Sequence, residues 1–128
     1  MVTDPGLQAA FGLSRKASLA VFSLNGMDSS ATMLKLGYVN EEEEPFLLEL
    51  GAVGELASRW IVKGGNAVPQ PPTINPISIS PDNVRRIPDR LLFAGRQTKL
   101  GIIRASLKGG FATHLVTDEG VAAALLAN

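Results

Sequence analysis

The chain contains no cysteine and a single histidine, His114. The absence of cysteine excludes disulfides, thiol catalysis and cysteine-ligated zinc or iron–sulfur sites. A lone histidine likewise excludes any site that needs two imidazoles. We therefore predict no metal, no cofactor and no catalytic residue.

Long apolar runs are also missing. No stretch approaches the roughly 18–20 apolar residues that span a bilayer, and the amino terminus lacks a basic region followed by an apolar stretch. The 128 residues, 45% hydrophobic and 19% charged, are enough for one core and argue against wholesale disorder. We expect one compact unit, or part of one, in the cytoplasm and without a membrane partner.

The 12 basic and 12 acidic side chains cancel in total but are unevenly placed. Acidic residues outnumber basic ones in residues 1–60, and the reverse holds in residues 61–128. This excess of positive charge is too small to predict nucleic-acid binding by itself. It leaves room for a site that takes one small anion.

The second half of the chain has the clearest pattern. It predicts strands at Arg90–Ala94 and Ala112–Val116, a helix at Gln97–Lys108 and a helix at Gly120–Leu126. Strand, helix, strand, helix with short connections implies parallel pairing and right-handed crossovers. The predicted class is α/β, a parallel sheet with flanking helices.

The first half is less regular. Ser18–Leu24 is a short apolar run that predicts a buried strand, with Asn25–Gly26 turning the chain at its end. Asp28–Ser30 opens a predicted helix that Gly37 stops. Apolar residues at helical spacing from Phe46 predict a further helix after the four glutamates 41–44.

That helix is interrupted by Gly51 and Gly54, and Trp60–Val62 is already compatible with a strand. Lys63–Pro81 contains two adjacent glycines and several prolines, which argue against regular structure and for a connector with no ligand role. A serine N-cap and a proline at the first helical position predict a short helix from Ser80 to Arg86.

Ligands of an open parallel sheet lie beyond the carboxyl ends of its strands. Three such ends are Asn25–Gly26, Gly95–Lys99 and Thr117–Glu119. Gly95 permits a close backbone approach, the first helical N–H groups lack partners within the helix, and Lys99 lies one turn in. This predicts a seat for a phosphate or carboxylate, with an ordinary strand-to-helix turn as the alternative.

Other polar residues have simpler interpretations. Thr117–Glu119 is typical of helix capping, since a threonine or aspartate accepts backbone hydrogen bonds there. His114 is interpreted as a packed or edge residue of its strand. Glu55 follows two glycines and could accept hydroxyl hydrogens, although a solvated glutamate on a helix face is the simpler interpretation.

Five segments taken together resemble the effector domain of SorC-type (DeoR-like) bacterial transcriptional regulators. Each is commonplace alone, but their order and spacing are specific, and the likeness covers nearly the whole chain. The segments are Gly51–Leu56, Arg85–Pro88, Ala94–Gly95 with Lys99, Ile102–Gly110 and Leu115–Ala122.

The resemblance implies a fold like that of ribose-5-phosphate isomerase and glucosamine-6-phosphate deaminase, without their catalysis. It implies that Glu55 contacts sugar hydroxyls, that Lys99 faces the ligand and that Gly95 begins the turn before it. Arg96 stands where the family usually has a second glycine, so it adds a cation to the site or fills it. With Gly26 at the first strand end, these residues form the predicted ligand-binding set.

Members of that family are longer, with an amino-terminal helix-turn-helix and a first half of the effector domain. Residues 1–128 are therefore interpreted as a partial sugar-binding effector domain with no DNA-binding domain. A sheet that lacks strands has an unpaired edge, so we expect a homo-oligomer, or a hetero-oligomer with a full-length regulator, to cover it.

Three functions follow, in order of preference. The first is a domain fragment that binds a phosphorylated sugar and controls transcription through a DNA-binding partner or a further domain. The second is an interaction module that has lost ligand binding. The third is an isomerase-type enzyme, which ranks last because no general base can be assigned. Direct DNA binding is not expected, since no recognition-helix pattern is present.

Overall fold

The computed structural model describes residues 3–28, 32–69 and 77–127, without the side chains of residues 32 and 33. The helices in these ranges are Pro5–Arg15 (α1), Thr32–Lys35 (α2), Glu43–Glu49 (α3), Pro81–Arg86 (α4), Leu100–Lys108 (α5) and Glu119–Leu126 (α6). A 3₁₀ turn, Gln97–Lys99, precedes α5. The strands are Leu19–Phe22 (β1), Leu24–Gly26 (β2), Ala52–Leu56 (β3), Arg59–Val62 (β4), Asp89–Phe93 (β5) and His114–Val116 (β6).

The strands form two separate three-stranded sheets. The parallel sheet has the order β1-β5-β6, with Phe22 opposite Leu92 and Leu92 opposite Leu115. The antiparallel sheet has the order β2-β3-β4. The predicted α/β class, a parallel sheet with flanking helices, is confirmed, and the antiparallel sheet is an addition to it.

Helix α5 lies in the core that the two sheets share. Its side chains Ile102 and Ile103 are fully buried and belong to one cluster with Leu24 and Leu56 of the antiparallel sheet and Leu92 of the parallel sheet. Because adjacent positions 102 and 103 are both buried, this helix contacts protein on more than one side. Its burial joins the two sheets into one folded unit.

Glycine at position 54 is what allows α5 to approach β3 so closely. A Cβ built on Gly54 would lie 2.2 Å from the carbonyl oxygen of Asn25 and 2.7 Å from the Cβ of Ile102. Real Cβ atoms do not come that close to backbone, so any side chain here must push β2 or α5 away.

A second, smaller cluster lies on the other side of the antiparallel sheet. It contains the fully or nearly fully buried residues Val39, Leu47, Ala52 and Trp60. Leu47 comes from α3, so this helix covers the face of the sheet opposite to α5. The antiparallel sheet is thus covered on both faces.

The predicted pattern of the second half is confirmed to within a few residues. Strands β5 and β6 pair in parallel, and the helix predicted from Gln97 consists of the 3₁₀ turn followed by α5. The helix predicted after Ser80 is α4, with Ser80 as its N-cap and Pro81 in its first turn.

The single strand predicted for Ser18–Leu24 is wrong. The chain pairs with β5 through Phe22 and then, from Leu24 onward, pairs antiparallel with β3, so two short strands belong to two sheets. Asn25 and Gly26 are accordingly strand residues and not a turn. The run is apolar on both sides of Ser23, and apolar character does not specify which strand is the partner.

The helix predicted from Phe46 through Trp60 is correct only in its first half. Helix α3 ends at Glu49, and Gly51 adopts a positive φ of 79° that redirects the chain into β3. Trp60 lies in β4, as the strand interpretation of Trp60–Val62 expected. The apolar spacing of three and four residues does not reflect a helix in this segment. The chain instead forms β3 and β4, which are joined by a two-residue turn at Ala57–Ser58.

Other predictions of the first half have mixed outcomes. Helix α1 was not predicted, although Asp4 accepts a hydrogen bond from Leu7 N and Pro5 follows it, as at many helix starts. Residues 29–31, part of the predicted start of α2, lie outside the described residues. The same holds for residues 70–76, which are part of the predicted connector. Gly37 follows α2 with a positive φ, as expected of a stop.

One face of the parallel sheet is not covered by the residues that the structure describes. Register places Leu19 and Val21 of β1, Phe93 of β5 and Val116 of β6 on the same side, and their exposed fractions are 54%, 63%, 61% and 42%. Parallel sheets are usually covered on both faces. This apolar surface, which we call the open face, is therefore unusual for a parallel sheet.

No helix within the described ranges has the length and apolar character that crossing a membrane requires.

We predict that Gly54→Ala destabilises the protein, because the added methyl group overlaps β2 and α5. Overpacking of this kind costs about 1–3 kcal/mol in the free energy of unfolding. Urea denaturation followed by circular dichroism measures the change.

Gly12→Ala is the matched control. Gly12 lies inside α1, and a Cβ there has no atom within 4 Å. Alanine is favoured over glycine in a helix by about 1 kcal/mol, so this variant should be as stable as the parent or more so. Equal effects of the two substitutions would contradict the packing argument.

Candidate functional site

An open cleft of about 510 Å³ lies at the carboxyl ends of the three parallel strands. Ser23 follows β1, Phe93 ends β5 and is followed by Ala94 to Arg96, and Thr117 and Asp118 follow β6. Lys99 completes the polar lining, and Phe93 and Val116 supply an apolar wall. The rule for open parallel sheets thus predicted the correct end of the sheet.

Lys99 lies at the last residue of the 3₁₀ turn and lines this cleft. Its Nζ donates a hydrogen bond of 2.9 Å to the carbonyl oxygen of Leu24, on the first residue of β2. The hydrogen-bond acceptor of this ammonium group is therefore a neutral carbonyl and not a carboxylate. An ammonium group has three N–H donors, so further donors remain for an anion.

The turn between β5 and the 3₁₀ segment is formed by Gly95 and Arg96. Both residues line the cleft with Lys99, and the Arg96 side chain is exposed. The backbone N–H of Arg96 donates to Asp118 Oδ2 at 2.6 Å. Arg96 precedes the predicted helix, and its own N–H group is paired with an aspartate of the next loop.

Capping by the segment Thr117–Glu119 is confirmed. Asp118 is the N-cap of α6, and its Oδ1 accepts a hydrogen bond of 2.8 Å from the N–H of Val121. Glu119 is in the first turn, near the positive end of the helix dipole. The cleft therefore contains two cationic side chains, Arg96 and Lys99, and one carboxylate.

Glu55 lies on β3 and does not line this cleft among the described residues. It is only 7% exposed; its Oε2 accepts from Asn25 Nδ2 at 3.0 Å and its Oε1 accepts from the backbone N–H of Ser58. The interpretation as a solvated glutamate on a helix face is thus wrong. The carboxylate fixes the tight turn at Ala57–Ser58, where both residues have positive φ.

Gly26 lies at the end of β2 and is likewise absent from the cleft lining in the described structure. A Cβ on Gly26 would lie 3.3 Å from the carbonyl oxygen of Thr98. Gly26 therefore lies against the turn that carries Lys99. The structure brings together Gly95, Arg96 and Lys99, and it leaves Gly26 and Glu55 on the neighbouring antiparallel sheet.

His114 is exposed at the start of β6, an edge strand of the described sheet, and its Nδ1 lies 2.8 Å from Thr113 Oγ1. The edge interpretation is correct. No group of three or more histidine or acidic side chains that could hold a metal ion is found in the described ranges.

Sequence reasoning missed Ser23, Phe93 and Val116 as lining residues. Ser23 is the one polar residue within the run Leu19–Leu24. That interruption is a usable signal, since a polar residue directly after a buried parallel strand faces the ligand edge of the sheet. Phe93 and Val116 carried no such signal, because apolar strand residues normally indicate core.

A fold of this kind, with a cleft holding cationic side chains at the ends of its parallel strands, is typical of domains that bind small anionic ligands. Residues 1–127 match the protein family described as "Putative sugar-binding domain". The chain belongs to this family, which is found in regulators of the DeoR and SorC type.

Individual relatives are bacterial transcriptional regulators. The chain is 29% identical over 123 residues to the deoxyribonucleoside regulator of Bacillus subtilis, covering 96% of this chain and 39% of that protein. Solved structures share the fold. A DeoR family transcriptional regulator from Listeria monocytogenes matches with a TM-score of 0.88 and 20% identity, over 94% of this chain and 49% of that one. The full-length sorbitol operon regulator SorC from Klebsiella pneumoniae matches with a TM-score of 0.85 and 20% identity, over 96% of this chain and 40% of that one. The chain thus spans less than half the length of these proteins.

We predict that stability depends on pH through Asp118. Hydrogen bonds from the N–H groups of Arg96, first, and Val121 lower the pKa of this carboxyl below its usual value. A lowered folded-state pKa gives stability that is fully present above the unfolded pKa of about 3.9 and is lost as the pH falls through the folded value.

Asp118→Asn tests this, because it keeps an oxygen acceptor but cannot ionise. We expect the variant to be less stable than the parent at pH 7, and the difference to shrink as the pH falls below about 4. Urea unfolding at a series of pH values measures it. A difference that stays constant down to pH 2.5 would show that ionisation of Asp118 plays no part.

Proposed function

We propose that this chain binds the phosphate group of a phosphorylated sugar in the cleft at the ends of the parallel strands. The observation that carries the proposal is Lys99, whose ammonium group lines the cleft and is held by the backbone carbonyl of Leu24, with no ion pair to an acidic side chain among the described residues. Arg96 adds a second cation at the same opening. Charge-assisted hydrogen bonds to a phosphate are the strong contacts that such a pair supplies.

Membership of a sugar-binding family supports a sugar as the ligand. Gly95 allows the close approach of the ligand to the backbone, and Thr117 and Ser23 offer hydroxyl groups along the lining. Glu55 and Gly26 remain predicted ligand residues by resemblance only. Both lie on the antiparallel sheet whose strand β2 accepts the hydrogen bond of Lys99.

Control of transcription is the role we propose for this binding, exerted through a DNA-binding partner or a further domain. The relatives that are bacterial transcriptional regulators support it. We accordingly place the protein in the cytoplasm and assign it no catalysis.

Lys99→Met is the direct test, since methionine keeps the length of the side chain and removes its charge. Hydrogen bonds to charged groups contribute about 1.5–3 kcal/mol, so affinity for a sugar phosphate should fall roughly ten- to a hundredfold. Titration calorimetry with ribose 5-phosphate and fructose 6-phosphate, each compared with its unphosphorylated sugar, measures the loss.

Lys108→Met is the matched control, because Lys108 is exposed at the opposite end of α5. It should bind as the parent does. Equal affinity of the Lys99→Met variant and the parent would show that the anion binds elsewhere.

The open face supports a second proposal, that the chain assembles with another copy of itself. Leu19, Val21, Phe93 and Val116 expose apolar surface on one side of the parallel sheet, and β1 and β6 are its unpaired edges in the described structure. Burial of such surface contributes about 25 cal/mol for each Å². This interface also suits a longer regulator of the same family, as the interaction-module interpretation requires.

Light scattering at tens of micromolar protein should therefore give the mass of a dimer or a larger assembly. Val21→Lys should shift the population towards monomer, because a charge in the open face opposes burial. Leu126→Lys is the control, since Leu126 is 87% exposed on α6 and lies outside that face. A parent protein that is monomeric at this concentration would rule out self-association, and capture of a longer regulator would then favour the mixed assembly.

A further inference from the structure

Arg96 has a backbone conformation that is rare for a residue with a side chain. Its φ is 77° and its ψ is 137°. This lies close to the region that glycine alone occupies readily, and such conformations cost about 1–3 kcal/mol. They persist only where the surrounding structure holds them.

Asp118 is the group that holds this conformation. Its Oδ2 accepts the N–H of Arg96 at 2.6 Å, while Oδ1 of the same carboxylate caps α6 through Val121. Gly95 makes room for it, since a Cβ on Gly95 would lie 2.6 Å from Oδ2. One carboxylate therefore links the loop after β6 to the turn after β5.

The backbone of Lys99 is hydrogen-bonded to this strained residue. The carbonyl oxygen of Arg96 accepts the backbone N–H of Lys99 at 3.0 Å, so the φ and ψ angles of Arg96 set where the next turn of the chain begins. Lys99 Nζ then reaches the carbonyl of Leu24 at 2.9 Å. Hydrogen bonds thus connect Asp118 to the backbone of Arg96 and Arg96 to the backbone of Lys99, and a third hydrogen bond holds the ammonium group of Lys99.

Helix capping alone does not account for Asp118. A cap needs one oxygen for the first turn of α6, and Oδ1 provides it. The second oxygen is directed to a different loop, 22 residues earlier in the chain. The hydrogen bond from Arg96 is also the largest cause of the lowered pKa of Asp118, ahead of the cap itself.

We propose that Asp118 is a positioning residue, which holds the Gly95–Arg96 turn in its strained conformation and thereby sets the ammonium group of Lys99 in the cleft. The consequence for binding rests on the proposed function of Lys99. The positioning itself is a property of the chain without ligand, and it is testable separately.

Asp118→Ser separates the two roles of the carboxylate. Serine is a good N-cap, so the start of α6 is retained. Its hydroxyl is one bond shorter than the carboxylate and has a single oxygen, so it cannot also reach the Arg96 amide. Arg96→Gly is the second variant, since glycine adopts a positive φ without strain and so no longer needs to be held.

The two substitutions and their combination form a double-mutant cycle read by urea unfolding. Residues that share an interaction show coupling of about 0.5–3 kcal/mol. We expect Asp118→Ser to lower the folding equilibrium constant about tenfold in the parent and clearly less in the Arg96→Gly background. Additive effects would overturn the proposal and leave Asp118 as a cap only.

The second readout reports on Lys99 directly. In ¹H–¹⁵N spectra the amide signal of Lys99 should shift in Asp118→Ser and return towards its parent position in the double variant. An unmoved Lys99 signal would overturn the proposal even where stability changes.

Calorimetry with ribose 5-phosphate completes the test. Affinity should fall about tenfold when Asp118→Ser is made in the parent, and clearly less when it is added to Arg96→Gly, a background that has already lost the Arg96 cation. If the parent itself does not bind the probe, the proposed function fails, while the coupling and the Lys99 signal still decide the positioning role.

Discussion

The burial of α5 is the constraint on which the rest of this structure depends. Ile102 and Ile103 contact a core to which both sheets contribute, and Gly54 lets the antiparallel sheet approach the helix backbone to a distance that no side chain would permit. Because the 3₁₀ turn runs directly into α5, the position of this helix also places Lys99. Core packing and site geometry are therefore set by the same element.

The cleft forms where three loops meet beyond the parallel strands, and its charges are organised by backbone groups. Lys99 is held by the carbonyl of Leu24, and Asp118 is held by the amides of Arg96 and Val121. Neither cation of the cleft is neutralised through a recorded ion pair with Asp118. The arrangement keeps positive charge at an opening of the fold, as the proposed binding of an anion requires.

Local patterns predicted the second half of the fold well, because its strands and helices have unambiguous boundaries. Gly95, Gly109 and the capping segment Thr117–Asp118 are stop and start signals that act over a few residues. In the first half of the chain, the predictions for Ser18–Gly26 and for Phe46–Trp60 were wrong. There the same apolar spacing suits two structures, and the choice between them depends on which distant strand is available for pairing.

The sequence by itself determined the class of fold, the edge of the sheet where the cleft opens and three of the lining residues, Gly95, Arg96 and Lys99. These follow from short-range rules: turn residues, helix caps and the common direction of parallel strands. Only the tertiary structure decided that Glu55 is buried against Asn25 and that the Arg96 amide is taken by Asp118. Both contacts join residues 20 or more positions apart, and local sequence carries no information about which distant group will accept a given hydrogen.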